Sequence, residues 1–314
     1  LDPALLAWKY WDRREDWPNA RSYVLEKDGA IVAHAGLWPI TFGSGADAVR
    51  GIHMIDWASA KESAGAGLAL VQKLSAMFDF IYSIGGSEMT CKVLPAFGFV
   101  EYGRQWKGAR PLRPLLQIVT HQTRTWKLAP RLLRNSLLAM AKGSNPYESW
   151  ETAEIEPREI SGESYWSGAS NAIFSPRPPA FFEYFLRCPV TKFRLYGIKG
   201  DRELKGHFVI GVLRGQARVA GVWLREPNQN AWAAAYFLAR QAAMCLKGVN
   251  EVVALGSEGP SRAGAVQVGF RVMSGPMVYM LDKRKKLSLA PDFQFQLCDG
   301  DLAFLDSGSS SYWT

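Results

Sequence analysis

Two apolar-rich runs, SYVLEKDG (22–29) and AIVAHAGLWPITF (30–42), meet at Asp28-Gly29. Their β-branched and aromatic residues predict strands, and Asp-Gly between two such runs predicts a hairpin. Ahead of them PALLAWKYWDRR (3–14) has helical spacing, and after them RGIHMIDWAS (50–59) reads as a third strand. The period then changes. LALVQKLSAMFD (68–79) places Leu68, Val71, Leu74 and Phe78 on one helical face. FIYSIG (80–85) returns to strand, followed by a short helix MTCKVLPAF (89–97) and the dipeptide Gly98-Phe99. Strand, helix, strand in this order predicts a parallel pair joined by a crossover.

The second half repeats the order. KFRLYGIKG (192–200) and KGHFVIGVLRGQARVAGVWL (205–224) predict strands, AWAAAYFLARQAAMCL (231–246) a helix and EVVALG (251–256) a strand. RVMSGPMVYML (271–281) predicts a last strand after Gly269-Phe270. IGGSE at 84–88 is echoed by LGSEG at 255–259, and the intervals Gly86–Gly98 and Gly256–Gly269 differ by one residue. A repeat this long indicates duplicated domains, since each copy can hold its own core. The expected fold class is α/β, two tandem units each with a central mixed sheet flanked by helices. The units are residues 1–115 and 161–314, joined by a basic linker with a helix over 116–160; the length of 314 residues agrees with two domains.

Hydrophobic residues at 48% and charged residues at 21% exclude disorder. No apolar run reaches the roughly 18 residues of a membrane-spanning helix. The opening LDPALLAWKYWDRRED lacks the basic start and apolar core of a secretory signal, so a cytoplasmic location, extending to the inner face of the membrane, is expected. Cys91, Cys188, Cys245 and Cys298 are scattered without a CxxC pair or a histidine cluster, so neither disulfides nor a metal site are expected. Asp299-Gly300-Asp301 reads as a turn, not as a metal site.

The net charge of +8 attracts anions in general, and it is unevenly placed. Between Glu101 and Glu148 there is no acid, whereas Arg104, Lys107, Arg110, Arg113, Arg124, Lys127, Arg131, Arg134 and Lys142 all occur. Within this segment TWKLAPRLLRNSLLAMAKG (125–143) mixes Leu and Met with these cations at helical spacing. One reading is a linker helix that packs its Leu face on a domain and solvates its Arg face. The other is an interfacial helix on anionic lipid, giving a peripheral membrane contact through residues 104–142. Nucleic acid is not an expected target, because no motif or aromatic pair on a basic strand face accompanies the charge.

The remaining stretch, KESAGAGLALVQKL (61–74), sets two glycines at the mouth of a helix. Such glycines let a ligand approach the main chain, and the unpaired amides there favour a phosphate. The whole series of hairpin, strand, Gly-X-Gly turn, helix, strand, short helix and Gly-Phe is carried by DGAIVAHAGLWPI (28–40), IDWASAKESAGAGLALVQKL (55–74) and LPAFGF (94–99). It resembles the GNAT superfamily of acyl-CoA-dependent N-acyltransferases. The second half resembles another copy, with REPNQNAWAAAYF (225–237) in place of the glycine loop. The resemblance implies acetyl-CoA or another acyl-CoA as co-substrate. It implies that Ala64, Gly65, Ala66, Gly67 and Leu68 hold the CoA pyrophosphate and that Trp57 and Ala58 hold the pantetheine arm. Glu62 stands where the family carries Gln or Arg, and Leu94 where it often carries a Tyr proton donor.

An amine that attacks a thioester must lose a proton, so a carboxylate or imidazole within reach is needed. The candidates are Asp56, His53, His34 and Glu88. A two-residue strand period turns His53 with Ile55 and Asp56 with Met54, so the two share a cleft only across a bulge. Asp56 is favoured for its place beside the implied thioester. The implied activity is acyl transfer to an amine of a small molecule, sugar or cell-envelope precursor, as in polysaccharide biosynthesis. Two alternatives stand beside it: a Fem-type transferase using aminoacyl-tRNA, and a non-catalytic tandem binding protein.

Overall fold

A computed structural model describes residues 2–42, 48–119, 128–141, 143–160, 172–175, 177–287, 292–305 and 312–314. Helix α1 (Pro3–Tyr10) starts on an Asp2 side-chain cap and stops at Tyr10, short of the Arg14 that its spacing suggests. Strands β1 (Ser22–Lys27) and β2 (Ala30–Phe42) turn at Asp28 and Gly29, whose φ values of 53° and 78° are the positive pair a two-residue hairpin requires. Next come β3 (Val49–Ser59), α2 (Ala66–Met77) and β4 (Phe80–Ile84), the expected parallel crossover. α3 (Glu88–Val93), a 3-10 turn at Pro95–Phe97 and β5 (Val100–Pro111) end the first half. α4 (Pro114–Val119), α5 (Leu128–Met140), the short strands β6 (Glu151–Glu154) and β7 (Ala172–Phe174), and α6 (Pro179–Phe185) connect the halves.

The second half contains β8 (Lys192–Gly200), β9 (Glu203–Leu213), β10 (Gln216–Leu224), α7 (Gln229–Cys245), β11 (Glu251–Gly256), α8 (Pro260–Gln267) and β12 (Arg271–Leu281). The run read as strand over 205–224 is therefore a hairpin, turning at Arg214 and Gly215 with φ of 45° and 81°. A short β13 (Asp292–Gln294) pairs with β7.

All of the longer strands join one sheet in the order β1-β2-β3-β4-β12-β5-β11-β10-β9-β8-β6. The order reads as two copies of one pattern with their last strands exchanged. β5 of the first half pairs with β11 and β12, while β12 of the second half pairs with β4 and β5. Parallel pairing occurs at equivalent places, β3 with β4 and β10 with β11. Each of β3 and β10 also carries a bulge, at Ile55 and at Ala220.

Strand alternation sorts side chains onto two faces. Leu37 joins the α2 cluster, and Val252 and Ala254 join the α7 cluster, on one face. Trp38 and Leu255 enter a cluster on the opposite face with α1, α6 and the 297–304 segment. There Trp8 stacks on Tyr184 at 5.0 Å and meets the Phe304 edge at 4.9 Å, so α1, α6 and the 297–304 segment pack together.

Helix α5 departs from the linker reading, because its Leu face is not the one that packs. Asn135 is buried and donates to Gln117 at 2.9 Å and to Thr314 at 3.3 Å, while Leu133, Leu137 and Met140 are exposed. The cause is Glu251, a fully buried carboxylate that accepts from Gln117, Gln216 and the Trp313 and Thr314 main chain. A buried charge demands such donors, so Gln117 and Asn135 face inward to complete the network. Arg124, Lys127 and Lys142 lie outside the described residues.

Candidate functional site

Strands β3 and β4 pair only at Gly51–Phe80, Ile52–Ile81 and His53–Tyr82. Beyond His53, β3 runs on to Ser59 beside β2 alone, so a gap opens between two parallel strands. His53 sits at its vertex. The imidazole Nε2 accepts from the Ile84 amide at 3.0 Å, taking a donor that further pairing with β3 would have used, and the ring stacks on Tyr82 at 4.9 Å. Its other nitrogen lies against Gly300, where a Cβ would come within 3.1 Å of it. Burial, aided by the nearby Lys9 ammonium, pushes the His53 pKa down to about 3, so the ring is neutral and acts as a wedge.

The bulge at Ile55 turns Asp56 to the same face as His53, the condition under which the two can share a cleft. Asp56 accepts from the Lys9 ammonium and from the Tyr10 hydroxyl. Lys9 is also 3.7 Å from Asp301. The Lys9 side chain is only 3% exposed, but Asp56 keeps 42% and Asp301 21%, so solvent reaches the group through its acids. His34 joins at the edge: its ring meets Tyr10 at 5.7 Å and its Nε2 lies 3.1 Å from Ser22 Oγ. Glu88 stands apart, exposed and paired with Lys92 at 2.7 Å.

The two acids at Lys9 differ electrostatically. Burial raises Asp56, but the Lys9 and Tyr10 donors outweigh it and hold the carboxyl below its ordinary value. Burial raises Asp301 to about 6 against the pull of Lys9. Tyr10 is pushed well up by burial and by Asp56, and stays protonated. Asp56 is thus an occupied acceptor, and Asp301 is the more basic carboxylate.

On the other face of the gap lies the mouth of α2. Gly65 caps the helix with φ +85°, a left-handed value that suits glycine, and nothing lies within 4 Å of where its Cβ would be. Ala66 donates to Ser63 and Ala69 to Gly65, while the amides of Gly67 and Leu68 between them have no partner among the described residues. Ala64 and Gly65 are exposed, as is Ala58 on β3. Gly67 has a packing duty as well, since a Cβ there would meet the Trp57 indole at 2.9 Å. The indole also meets Phe97 edge-on at 5.5 Å, and its buried N–H has no partner among the described residues. Of the sequence-predicted residues, Ala58, Ala64 and Gly65 are exposed, Trp57 and Leu68 half-buried, and Ala66 and Gly67 buried. Leu94 is wholly buried in the α2 cluster.

In the second half the equivalent gap is filled by the chain itself. β10 and β11 pair as far as Val219–Ala254, after which Gly256 bridges to Gln296. Gln296 Oε1 accepts from the Val222 amide at 2.5 Å, and the Phe295 amide donates to Ser257 Oγ at 3.0 Å. An Asn228 side chain caps α7 where α2 has its glycine. The filling segment then crosses to the first half. Trp38 Nε1 donates to the Cys298 carbonyl at 2.8 Å, and the Tyr82 hydroxyl donates to that of Asp299 at 2.6 Å. The Asp299 carboxylate forms a buried 2.5 Å ion pair with Arg177, and Asp301 follows at Lys9. The Asp-Gly-Asp turn thus carries an acid of the second half into the site of the first. Sequence reading missed Lys9, Tyr10 and Asp301, because only the folded chain brings them to Asp56. Beside Tyr10 opens a cleft of about 540 Å³ lined by Trp11, Arg13, Arg14, Trp17 and Arg21 among others.

Neither a protein-family model nor a curated protein matches the sequence. Among solved structures, a GCN5-related N-acetyltransferase from Anabaena variabilis aligns with a TM-score of 0.53 at 13% identity, over 84% of this chain and 63% of its own. A conserved protein of unknown function from Enterococcus faecalis aligns with a TM-score of 0.53 at 10% identity, over 82% of this chain and 61% of its own. The chain spans less than two thirds of the length of either. At such identities the likeness is one of fold, and the fold is that of the GCN5-related N-acetyltransferases.

Proposed function

We propose that the chain is an acyl-CoA-dependent N-acyltransferase whose first half binds the thioester and whose second half completes the site. One observation carries this reading: β3 parts from β4 with an open glycine helix mouth on one face and the Lys9–Asp56–Asp301 group on the other. The residues at the mouth fit a diphosphate, with two unpartnered amides, the positive end of α2 and open space at Gly65. Acyl-CoA, when bound, supplies an activated carbonyl and a thiol leaving group.

The rest is work for the chain. Gly67 and Leu68 amides hold the diphosphate, and the main chain of β3 at Trp57, which turns away from β2, holds the amide-bearing arm. The amine meets the solvent-reached carboxylates of Asp56 and Asp301, and the exposed Trp11 and Arg13 beyond Tyr10 suit a sugar or envelope-precursor acceptor that carries an anionic group. Asp301 accepts the proton that the attacking nitrogen loses as the N–C bond forms and the C–S bond breaks. With a pKa of about 6 it is ionised at neutral pH yet basic enough to serve. Asp56 keeps Lys9 and Tyr10 in place. Leu94 provides no proton donor, so solvent protonates the departing sulfur.

Leu94 favours a second reading, a tandem protein that binds a thioester or an acceptor without turnover. Thermal-shift titration with acetyl-CoA, longer acyl-CoAs and free CoA, on the parent and Gly67→Trp, tests both. At 100 times Kd a ligand adds about 2.7 kcal/mol, a rise of roughly 4 °C for a chain of this size. The rise is expected in the parent and absent in the variant. Thiol release with a panel of amines then separates the readings: release supports the enzyme, and a shift without release supports the binder. No shift with any CoA species removes the enzyme and leaves a protein that binds an acceptor alone.

A further inference from the structure

The sheet face that carries Trp38 and His53 also carries a group of cations, outside the site described above. Partners in an antiparallel pair share a face, and positions two apart along a strand share it too. Lys107 pairs with Leu255 and with Met273, Ala109 pairs with Arg271, and Pro111 with Glu251. Leu255 packs in the Trp38 cluster, so Gln105, Lys107, Arg271 and Glu251 all stand on that face. Helix α5 lies over the same place, because Asn135 joins the Gln117–Glu251 network. Arg131 and Arg134, one turn before Asn135 and next to it, are thereby brought over Arg271. Burial lowers the Arg134 guanidinium from its ordinary value, and the Arg271 and Arg131 charges lower it further.

These cations have no acid of their own. Lys107, Arg134 and Arg271 are half-buried, and none of the three forms an ion pair among the described residues. Arg134 donates only to the neighbouring Asn135 carbonyl. Glu251 beneath them already accepts from Gln117, Gln216, Trp313 and Thr314. A second observation stands two positions before Lys107: Gln105 is 1% exposed, and neither its amide nitrogen nor its carbonyl oxygen has a partner among the described residues. Buried polar groups are nearly always hydrogen-bonded, so an unmatched amide beside unmatched cations points to a ligand with both anionic and neutral polar atoms. We propose that Lys107, Arg134 and Arg271, with Gln105 behind them, bind a small phosphate ester. Three cations against the single Glu251 carboxylate leave an excess of two positive charges, which suits a phosphate dianion better than one carboxylate. The guanidinium forks match phosphate oxygens, and the Gln105 amide offers a donor and an acceptor to a hydroxyl of the ester. Gln105 and Lys107 are about 7 Å apart along the strand, a span that a sugar-sized body covers. The α2 mouth lies on the opposite face of the sheet, so this binding does not depend on acyl transfer.

The test is titration calorimetry of the whole chain with glucose 6-phosphate, inorganic phosphate and glucose. The parent is expected to bind the ester, inorganic phosphate more weakly, and glucose not at all. Arg271→Gln is expected to weaken ester binding about tenfold or more, without lowering the melting temperature of the free chain, because it removes one of several like charges. Gln105→Leu is expected to raise that melting temperature, since an unmatched buried amide is lost, and to weaken the ester severalfold while leaving inorganic phosphate as it was. Gly67→Trp is expected to bind the ester as the parent does. Four results overturn the proposal. The parent does not bind the ester; the ester binds no more tightly than inorganic phosphate; Arg271→Gln binds the ester as the parent does; or Gly67→Trp abolishes binding, which assigns the phosphate to the α2 mouth.

Discussion

Removal of the Arg177 guanidinium is a direct probe of the segment that links the halves. Arg177 and Asp299 are each 3% exposed in their side chains, 2.5 Å apart, and the guanidinium lies 4.4 Å over the Phe181 ring. Arg177→Met keeps much of the packing volume but strands the carboxylate. Breaking a buried pair from one side costs about 3–5 kcal/mol. With an unfolding entropy of about 2.1 cal/mol/K per residue, the melting temperature at neutral pH should fall by roughly 5–8 °C. The loss should depend on pH. Burial already holds Asp299 above its ordinary value in spite of the guanidinium. Without Arg177 its folded-state pKa rises further, and a raised carboxyl pKa lowers stability as pH climbs from the unfolded value through the folded one. The deficit of Arg177→Met should therefore be small near pH 4, which is about the unfolded carboxyl pKa, and large at neutral pH. Adding Asp299→Asn should recover most of it. Calorimetric melts of the three variants across that range decide the matter. A single variant within about 2 °C of the parent at neutral pH, or a deficit that does not shrink in acid, refutes the reasoning.

Asp301→Asn should lower thiol release by about 10²–10⁴-fold and abolish a rising limb of the parent's pH profile near pH 6, where the base loses its proton; a limb that persists in the variant removes Asp301 as the base. Gly67→Ala should cost about 1–3 kcal/mol through the 2.9 Å approach to Trp57, read as a lower denaturant midpoint, and an unchanged midpoint contradicts the close packing. His53 has its pKa lowered to about 3, so the unfolded chain binds its proton first and the parent loses stability as pH falls below about 6.5. His53→Gln, which keeps an acceptor for Ile84, should flatten that slope by about 1.4 kcal/mol per pH unit between roughly pH 6 and pH 4, and an unaltered slope would show that His53 does not carry it.

The elements whose signal is local were legible in the sequence. The Asp28-Gly29 hairpin, the β3–α2–β4 crossover and the duplicated order all follow from residue period and turn chemistry. What depends on a partner strand was not legible. The bulge at Ile55 exists only relative to β2, and β5 has the same strand pattern whichever half it joins. The outward Leu face of α5 could not be weighed because Glu251, far along the chain, decides which side turns in. Lys9 and Asp301 carry no motif, and burial at one point gives them their meaning.

The exchange of β5 and β12 has a consequence for biosynthesis. β4 leaves the ribosome long before Arg271–Leu281, the strand that covers its free edge. Until then a nascent first half presents unsatisfied main-chain groups along that edge, the kind of template on which other chains aggregate. Completion of the first half's sheet thus waits on the synthesis of Arg271–Leu281, so neither half closes its sheet without the other.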